Sequence, residues 1–168
     1  MDKLNIDETL MNCVIAGTIE GLEMTGLEPN AVGVSRFNST SNDLSVIVGL
    51  HGRSNGNMSL NLSKQTAIFV AERFMGEEIA TLNEYAIDAI CEIGNILAGR
   101  LKELLMDIKF EFSGISLPAL IFGANYYFYH LKNITMVSVT FEINEVSLTH
   151  IHDKFFTTTI SLLRQSGD

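Results

Sequence analysis

The sequence predicts an α+β fold in which a mostly antiparallel β-sheet carries its helices on one face. Three observations lead there. Long stretches place apolar residues at helical spacing, and short runs rich in Val, Ile and Thr are bounded by polar turn segments. Helices both precede and interrupt the sets of strands, which is the order of an α+β chain.

Residues Ile6 to about Thr25 read as an amphipathic helix, with Ile6, Leu10, Val14, Gly17 and Gly21 recurring at helical steps and Gly26 and Pro29 supplying the stop. A β-meander is expected next. Its runs are Ala31 to Phe37, Leu44 to His51 and Asn57 to Leu62, divided by NSTSND, read as a loose hairpin, and GRSNGN, whose GRSNG is a tight-turn signal. Ser63 is placed to cap a helix running through Phe74 and ended by Gly76. A longer helix starts near Asn83 and continues to about Met106. Strands are then expected at Lys109 to Ser113, Ala119 to Tyr129, Ile134 to Ile143 and Phe155 to Leu163. Pro118 limits how early the second of these begins, and the Phe-Phe-Thr-Thr-Thr-Ile start of the last favours strand over helix. Helix, strands, helices, strands is an order that hints at two related halves.

A chain of 168 residues suits one domain, expected to span 1–168, and no break in composition suggests two. With 46% hydrophobic and 18% charged residues it is apolar enough to fold without metal or disulfide support. The formal charge of −9, from 11 Lys and Arg against 20 acids, argues against nucleic-acid binding, which needs a basic patch. The start MDKLNIDETL lacks the pattern of a signal peptide, and no apolar run reaches the length of a membrane span. A cytoplasmic protein is expected. Cys13 and Cys91 stand apart in helical patterns and read as small reduced hydrophobes.

The chemistry concentrates in EYAIDAICEIGNILAGRLKELL. Each helical position advances by about 100°, so Ile87, Ile90, Ile93, Leu97, Leu101, Leu104 and Leu105 share one apolar arc with Gly94 and Ala98. That arc is the core side. Asp88, Glu92, Asn95 and Gly99 fall within roughly 60° of one another, almost opposite to it. Gly costs ~1 kcal/mol against Ala inside a helix, so local propensity does not select this combination. Either the face is an ordinary solvated one with Gly99 merely tolerated, or a partner approaches it closely.

The spacing narrows the choice. Asp88, three residues, Glu92, two residues, Asn95, twenty-two residues and Pro118 resembles the motif of the CheC/CheX/FliY family of bacterial chemotaxis phosphatases. CEIGNILAG, SLPALIFG and TMVSVTFEI resemble family segments in the same order. The resemblance implies a pseudo-two-fold architecture and hydrolysis of the aspartyl phosphate on a phosphorylated CheY-type receiver domain. No cofactor of the chain's own is implied, since the Mg²⁺ belongs to the receiver. Asn95 would orient the attacking water, an amide being able both to donate and to accept. Glu92 would anchor to the receiver's active-site Lys, and is a poor general base because it faces solvent.

Around these two, Asp88 and Gly99 would border the contact. Asp88 either bonds partner backbone or solvates the helix. Ile96 and Met106 offer apolar contact to the receiver, or equally to a second subunit or the sheet. Pro118 reads as a structural marker of the turn. The first helix has Cys13 and Ala16 where a second Glu-x-x-Asn would stand, so one motif per chain, as in the CheX type, is expected. That type implies a homodimer, and Tyr126, Tyr127, Phe128 and Tyr129 are either strand pairing between subunits or ordinary strand residues. The alternative function is a non-catalytic regulator-binding or flagellar-switch module of the same fold.

One further cluster stands outside this motif. His150 and His152 alternate, which in an extended segment sets both imidazoles on one side, but no third ligand stands at recognisable metal spacing. An exposed turn is the expectation there.

Overall fold

The structure, a computed structural model, describes residues 6–37, 43–108, 110–123, 134–145 and 150–163. Helix α1 (Glu8–Leu22) begins where the Asp7 carboxylate accepts hydrogen bonds from the backbone N–H groups of Thr9 and Leu10, both at 3.1 Å. It tightens into a 3₁₀ turn at Glu23–Thr25 and stops at Gly26, whose φ of 68° is one that only glycine adopts without strain. Strands β1 (Asn30–Ser35), β2 (Leu44–Gly52) and β3 (Gly56–Leu62) follow, then α2 (Lys64–Met75), capped by Ser63 and ended by Gly76 at φ 72°. Helix α3 (Glu84–Met106) is capped by Asn83, whose side-chain oxygen accepts from the Ala86 N–H at 2.9 Å.

Strands β4 (Phe112–Ile115), β5 (Ala119–Phe122), β6 (Ile134–Glu142) and β7 (Phe155–Leu163) complete the described elements. The expected strand from Lys109 is shifted, since Phe110 still hydrogen-bonds back to Leu105 and β-pairing begins at Phe112. The run from Ala119 pairs with β2 only through Phe122, and residues 124–129, the Tyr126–Tyr129 cluster among them, lie outside the described residues.

All pairings are antiparallel, in the order β1-β6-β7-β3-β2-β4, with β5 also on β2. One expectation fails here. β1 to β3 are not a meander: β2 and β3 form a hairpin, but β1 lies at the far edge on β6. Exchanging β1 with β5, β2 with β6, β3 with β7 and α1 with α3 maps the order β1-β6-β7-β3-β2-β5 onto itself, with β4 as the one described strand left without a counterpart. The two halves are thus related by a pseudo-two-fold axis between β3 and β7, and each lends an edge strand to the other. β1 is exposed along its length, so what it gains on β6 is the backbone hydrogen-bond ladder and not burial.

That face carries Leu44, Val46, Val48 and Leu50 of β2, Met58, Leu60 and Leu62 of β3, Val137, Val139 and Phe141 of β6, and Phe156, Ile160 and Leu162 of β7, all buried. The apolar residues recur with a strand's period of two, and β3 and β7 are buried on both faces. Helix α3 covers β2, β3 and β4, while α1 covers β6 and β7 and packs alongside α3. The opposite face is largely Ser, Thr and Asn, with Ile47 and Met136 among them, and is paired across strands by Ser45 to Asn61 at 2.6 Å and Ser138 with Thr159 at 2.8 Å. Of the expected α3 core arc, Ile87 and Leu104 are only half-buried.

Candidate functional site

Helix α3 is held on two sides, and this decides what its other sides present. Beneath it, Gly94 meets the sheet so closely that a β-carbon there would lie 2.6 Å from Val46 Cγ1. Beside it, Gly17 and Gly21 of α1 bring that helix against Leu101 and Leu97, where added β-carbons would meet the leucine Cδ2 atoms at 2.9 and 2.8 Å. Arg100 then bridges the helices, pairing with Glu20 of α1 and with Glu103 one turn along α3.

The remaining surface of α3 carries the motif. Asp88 and Glu92 are exposed, and Asn95, Ile96 and Gly99 are partly so. By the 100° step, Asn95 points ~180° away from the direction of α1. The sheet order sets β4 and β5 on that side of β2, so Asn95 lies on the flank turned toward the β4/β5 edge. Pro118 sits on the same edge, in the corner between those strands. The structure therefore brings Asp88, Glu92, Asn95 and Gly99 onto one helix surface and sets the Pro118 corner beside it.

Gly99 differs from Gly94 in kind. Nothing in the described structure lies within 4 Å of where its β-carbon would be, and its backbone is ordinary helix. Its missing side chain answers no need of this chain's own packing. The Gly99 position is thus open space on the same helix surface as the Glu92 carboxylate and the Asn95 amide.

Cys91 borders this surface. Partial burial, and then the nearby Asp88 carboxylate, push its thiol pKa up, which keeps it protonated and a weak nucleophile. Cys13 is likewise raised, chiefly by burial and further by Asp7 and Asp107.

His150 and His152 are stacked, with ring centroids 5.6 Å apart; His152 lies in a 3₁₀ turn (Ile151–Lys154) and His150, itself extended, immediately precedes it. Among the described residues no group of three or more His, Cys, Asp or Glu could hold a metal ion. Asp153 in that turn is buried and structural: its carboxylate accepts from Ser63 Oγ at 2.5 Å, and its carbonyl accepts from Thr66 Oγ1 at 2.6 Å.

Residues 44–142, from β2 through β6, match the family model described as "Chemotaxis phosphatase CheX". The chain belongs to the CheX family. The CheY-P phosphatase CheX of Thermotoga maritima is 30% identical over 100 residues, which is 57% of this chain and 64% of that relative's length. Among solved structures, a putative chemotaxis protein from Desulfovibrio vulgaris Hildenborough superposes with a TM-score of 0.75 at 24% identity, covering 91% of this chain and 96% of that one. A chain of the CheX–CheY–BeF3–Mg²⁺ complex from Borrelia burgdorferi superposes with a TM-score of 0.73 at 24% identity, covering 95% and 100%. These neighbours bear out the α+β CheC/CheX-like fold.

The signal that sequence reading missed is the corner next to Pro118. Leu117 there is 89% exposed. A lone apolar residue beside a proline carries no periodic pattern, so only the fold sets it next to the motif helix.

Proposed function

We propose that this CheX-family chain hydrolyses the aspartyl phosphate of a CheY-type response regulator in bacterial chemotaxis or a related two-component pathway. The observation that carries this reading is Gly99, with open space at its β-carbon position, on the same helix surface as exposed Glu92 and partly exposed Asn95, in a helix packed against α1 and the sheet. A receiver supplies the acyl phosphate and Mg²⁺, so this chain contributes position rather than a nucleophile or metal.

In this reading the receiver lays its phosphorylation site across α3. The Asn95 amide enters beside the phosphoryl group, accepts a hydrogen bond from a water and holds it in line for attack on phosphorus. Glu92 pairs with the receiver's active-site Lys and fixes the register. Asp88 and Ile96 border the contact, and Gly99 lets the receiver backbone approach. Even a hundredfold acceleration takes only ~2.7 kcal/mol off the barrier, within reach of one well-placed amide. The protein works in the cytoplasm, as a homodimer with two such faces.

The deciding experiment is the decay of acyl phosphate on a labelled CheY-type receiver with Mg²⁺, alone, with this chain, and with Asn95→Ala. Acceleration by the unaltered chain only is the expected result. Equal decay in all three, with the receiver encoded alongside this chain, would favour the non-catalytic binding or flagellar-switch module.

A further inference from the structure

The β4–β5 corner is the most firmly built exposed feature next to the motif surface. Ser116 holds it to β2 by two hydrogen bonds and closes it with a third inside the corner. Its N–H donates to the Gly49 carbonyl at 2.9 Å, its hydroxyl accepts from the Gly49 N–H at 2.8 Å, and the same hydroxyl donates to the Leu117 carbonyl at 2.8 Å. Pro118 then restricts the backbone immediately after Leu117. Leu117, between these anchors, leaves 89% of its surface in water. Scattered exposed leucines are common and mean little by themselves. This one is distinguished by a backbone fixed on both sides and by where that backbone is.

Register fixes the position along α3. Ala119 pairs with Ile47 and Ile115 with Leu50, so the corner stands level with Val48 and Gly49 of β2. Gly94 of α3 rests on Val46, and the helix continues toward the end of β2 that pairs with Phe112. The corner therefore flanks the turns of α3 that carry Asn95 and Gly99, on the flank to which Asn95 points. A molecule large enough to cover Asn95 and Gly99 from that side reaches the corner too.

We propose that Leu117 is an apolar docking contact for the receiver, seated against an apolar patch beside the receiver's phosphorylation site. This rests on the receiver reading of the α3 surface and adds a specificity-determining residue to it. The division of labour is physical: α3 carries polar groups that act on the phosphoryl centre, while Leu117 contributes burial, which strengthens ground state and transition state alike. A side chain on a fixed corner also loses little freedom when it is covered.

The test compares the unaltered chain, Leu117→Ala, Leu117→Met and, as a control at the opposite sheet edge, Phe37→Ala, which removes another exposed apolar side chain. Two readouts are taken: KM and kcat for the phosphorylated receiver, and Kd for the same receiver held active by BeF3 and Mg²⁺. Leu117→Ala is expected to raise KM and Kd about tenfold with kcat within about twofold, Leu117→Met to restore most of the loss, and Phe37→Ala to change neither. KM and Kd unchanged in Leu117→Ala would overturn the proposal while hydrolysis by the unaltered chain upheld the phosphatase reading. A fall in kcat alone would also overturn it. So would a changed oligomeric mass of Leu117→Ala in sedimentation, which would assign the corner to a second copy of the chain. If the unaltered chain binds the BeF3-activated receiver with the Leu117 dependence but hydrolyses nothing, the docking contact stands and the phosphatase reading falls.

Discussion

Gly94 and Val46 are in such close contact that helix and sheet leave no room for a methyl group between them, the nearest approach to an added β-carbon being 2.6 Å. Both residues are fully packed inside the core, and the Val46 branch cannot swing away without striking its neighbours. This contact sets the height of α3 above β2, and with it the position of everything on the outer surface of the helix.

Gly94→Ala is accordingly expected to destabilise the fold by about 1–3 kcal/mol, the usual cost of overpacking a tight core, despite the gain in helix propensity. Chemical denaturation measures it. A neutral or stabilising result would mean that α3 rides higher on the sheet than described.

Gly99→Ala should do the reverse. With open space at the β-carbon position, alanine gains up to ~1 kcal/mol of helix stability. If a partner's backbone comes down on Gly99, the same methyl group weakens binding of the receiver and slows dephosphorylation. A variant both more stable and fully active would remove Gly99 from the proposed contact.

Asn95→Ala is expected to leave stability within about 0.5 kcal/mol while reducing turnover at least about tenfold. Glu92→Lys, by contrast, should act on docking through repulsion with the receiver Lys, raising KM more than it lowers kcat. Thermal unfolding alongside steady-state kinetics separates the two. A marked loss of stability in Asn95→Ala would identify that residue as structural.

Asp88 and Cys91 are coupled across one turn of α3. Replacing Asp88 by Asn removes the second of the two influences that raise the Cys91 pKa and leaves burial, the larger, in place. Alkylation of Cys91 at a fixed, mildly alkaline pH should therefore quicken, with its pH profile displaced downward. The sign for stability follows. A folded thiol that keeps its proton to higher pH than the unfolded one stabilises the fold below the unfolded pKa, and that contribution is lost as pH rises through the folded value. Unchanged alkylation would show that the Asp88 carboxylate points away from the thiol.

Thr158 is buried on the apolar face of the sheet, and among the described residues its hydroxyl has no hydrogen-bond partner. Thr158→Val should stabilise the protein by about 1 kcal/mol through relief of that desolvation. Destabilisation in a denaturant titration would mean that the hydroxyl is satisfied after all.

What the chain determined by itself is local. Asn83 and Ser63 cap their helices with their own side chains, Gly26 and Gly76 end helices at positive φ, and the polar surface of α3 follows from a 3.6-residue period. Each of these depends on residues a few positions apart, so each was legible in sequence order. Partner choice over longer distances was not. β1 follows α1 in the chain yet pairs with β6, more than a hundred residues along by Asn30↔Glu142, a ladder made on an exposed edge that no local apolar pattern announces. The helical period set Gly94 on the core arc and Gly99 opposite it, but not what either glycine meets. Only packing against Val46 makes the first a structural necessity, and only the placement of α1 on the far flank leaves the second, with Asn95 and the Leu117 corner, facing outward.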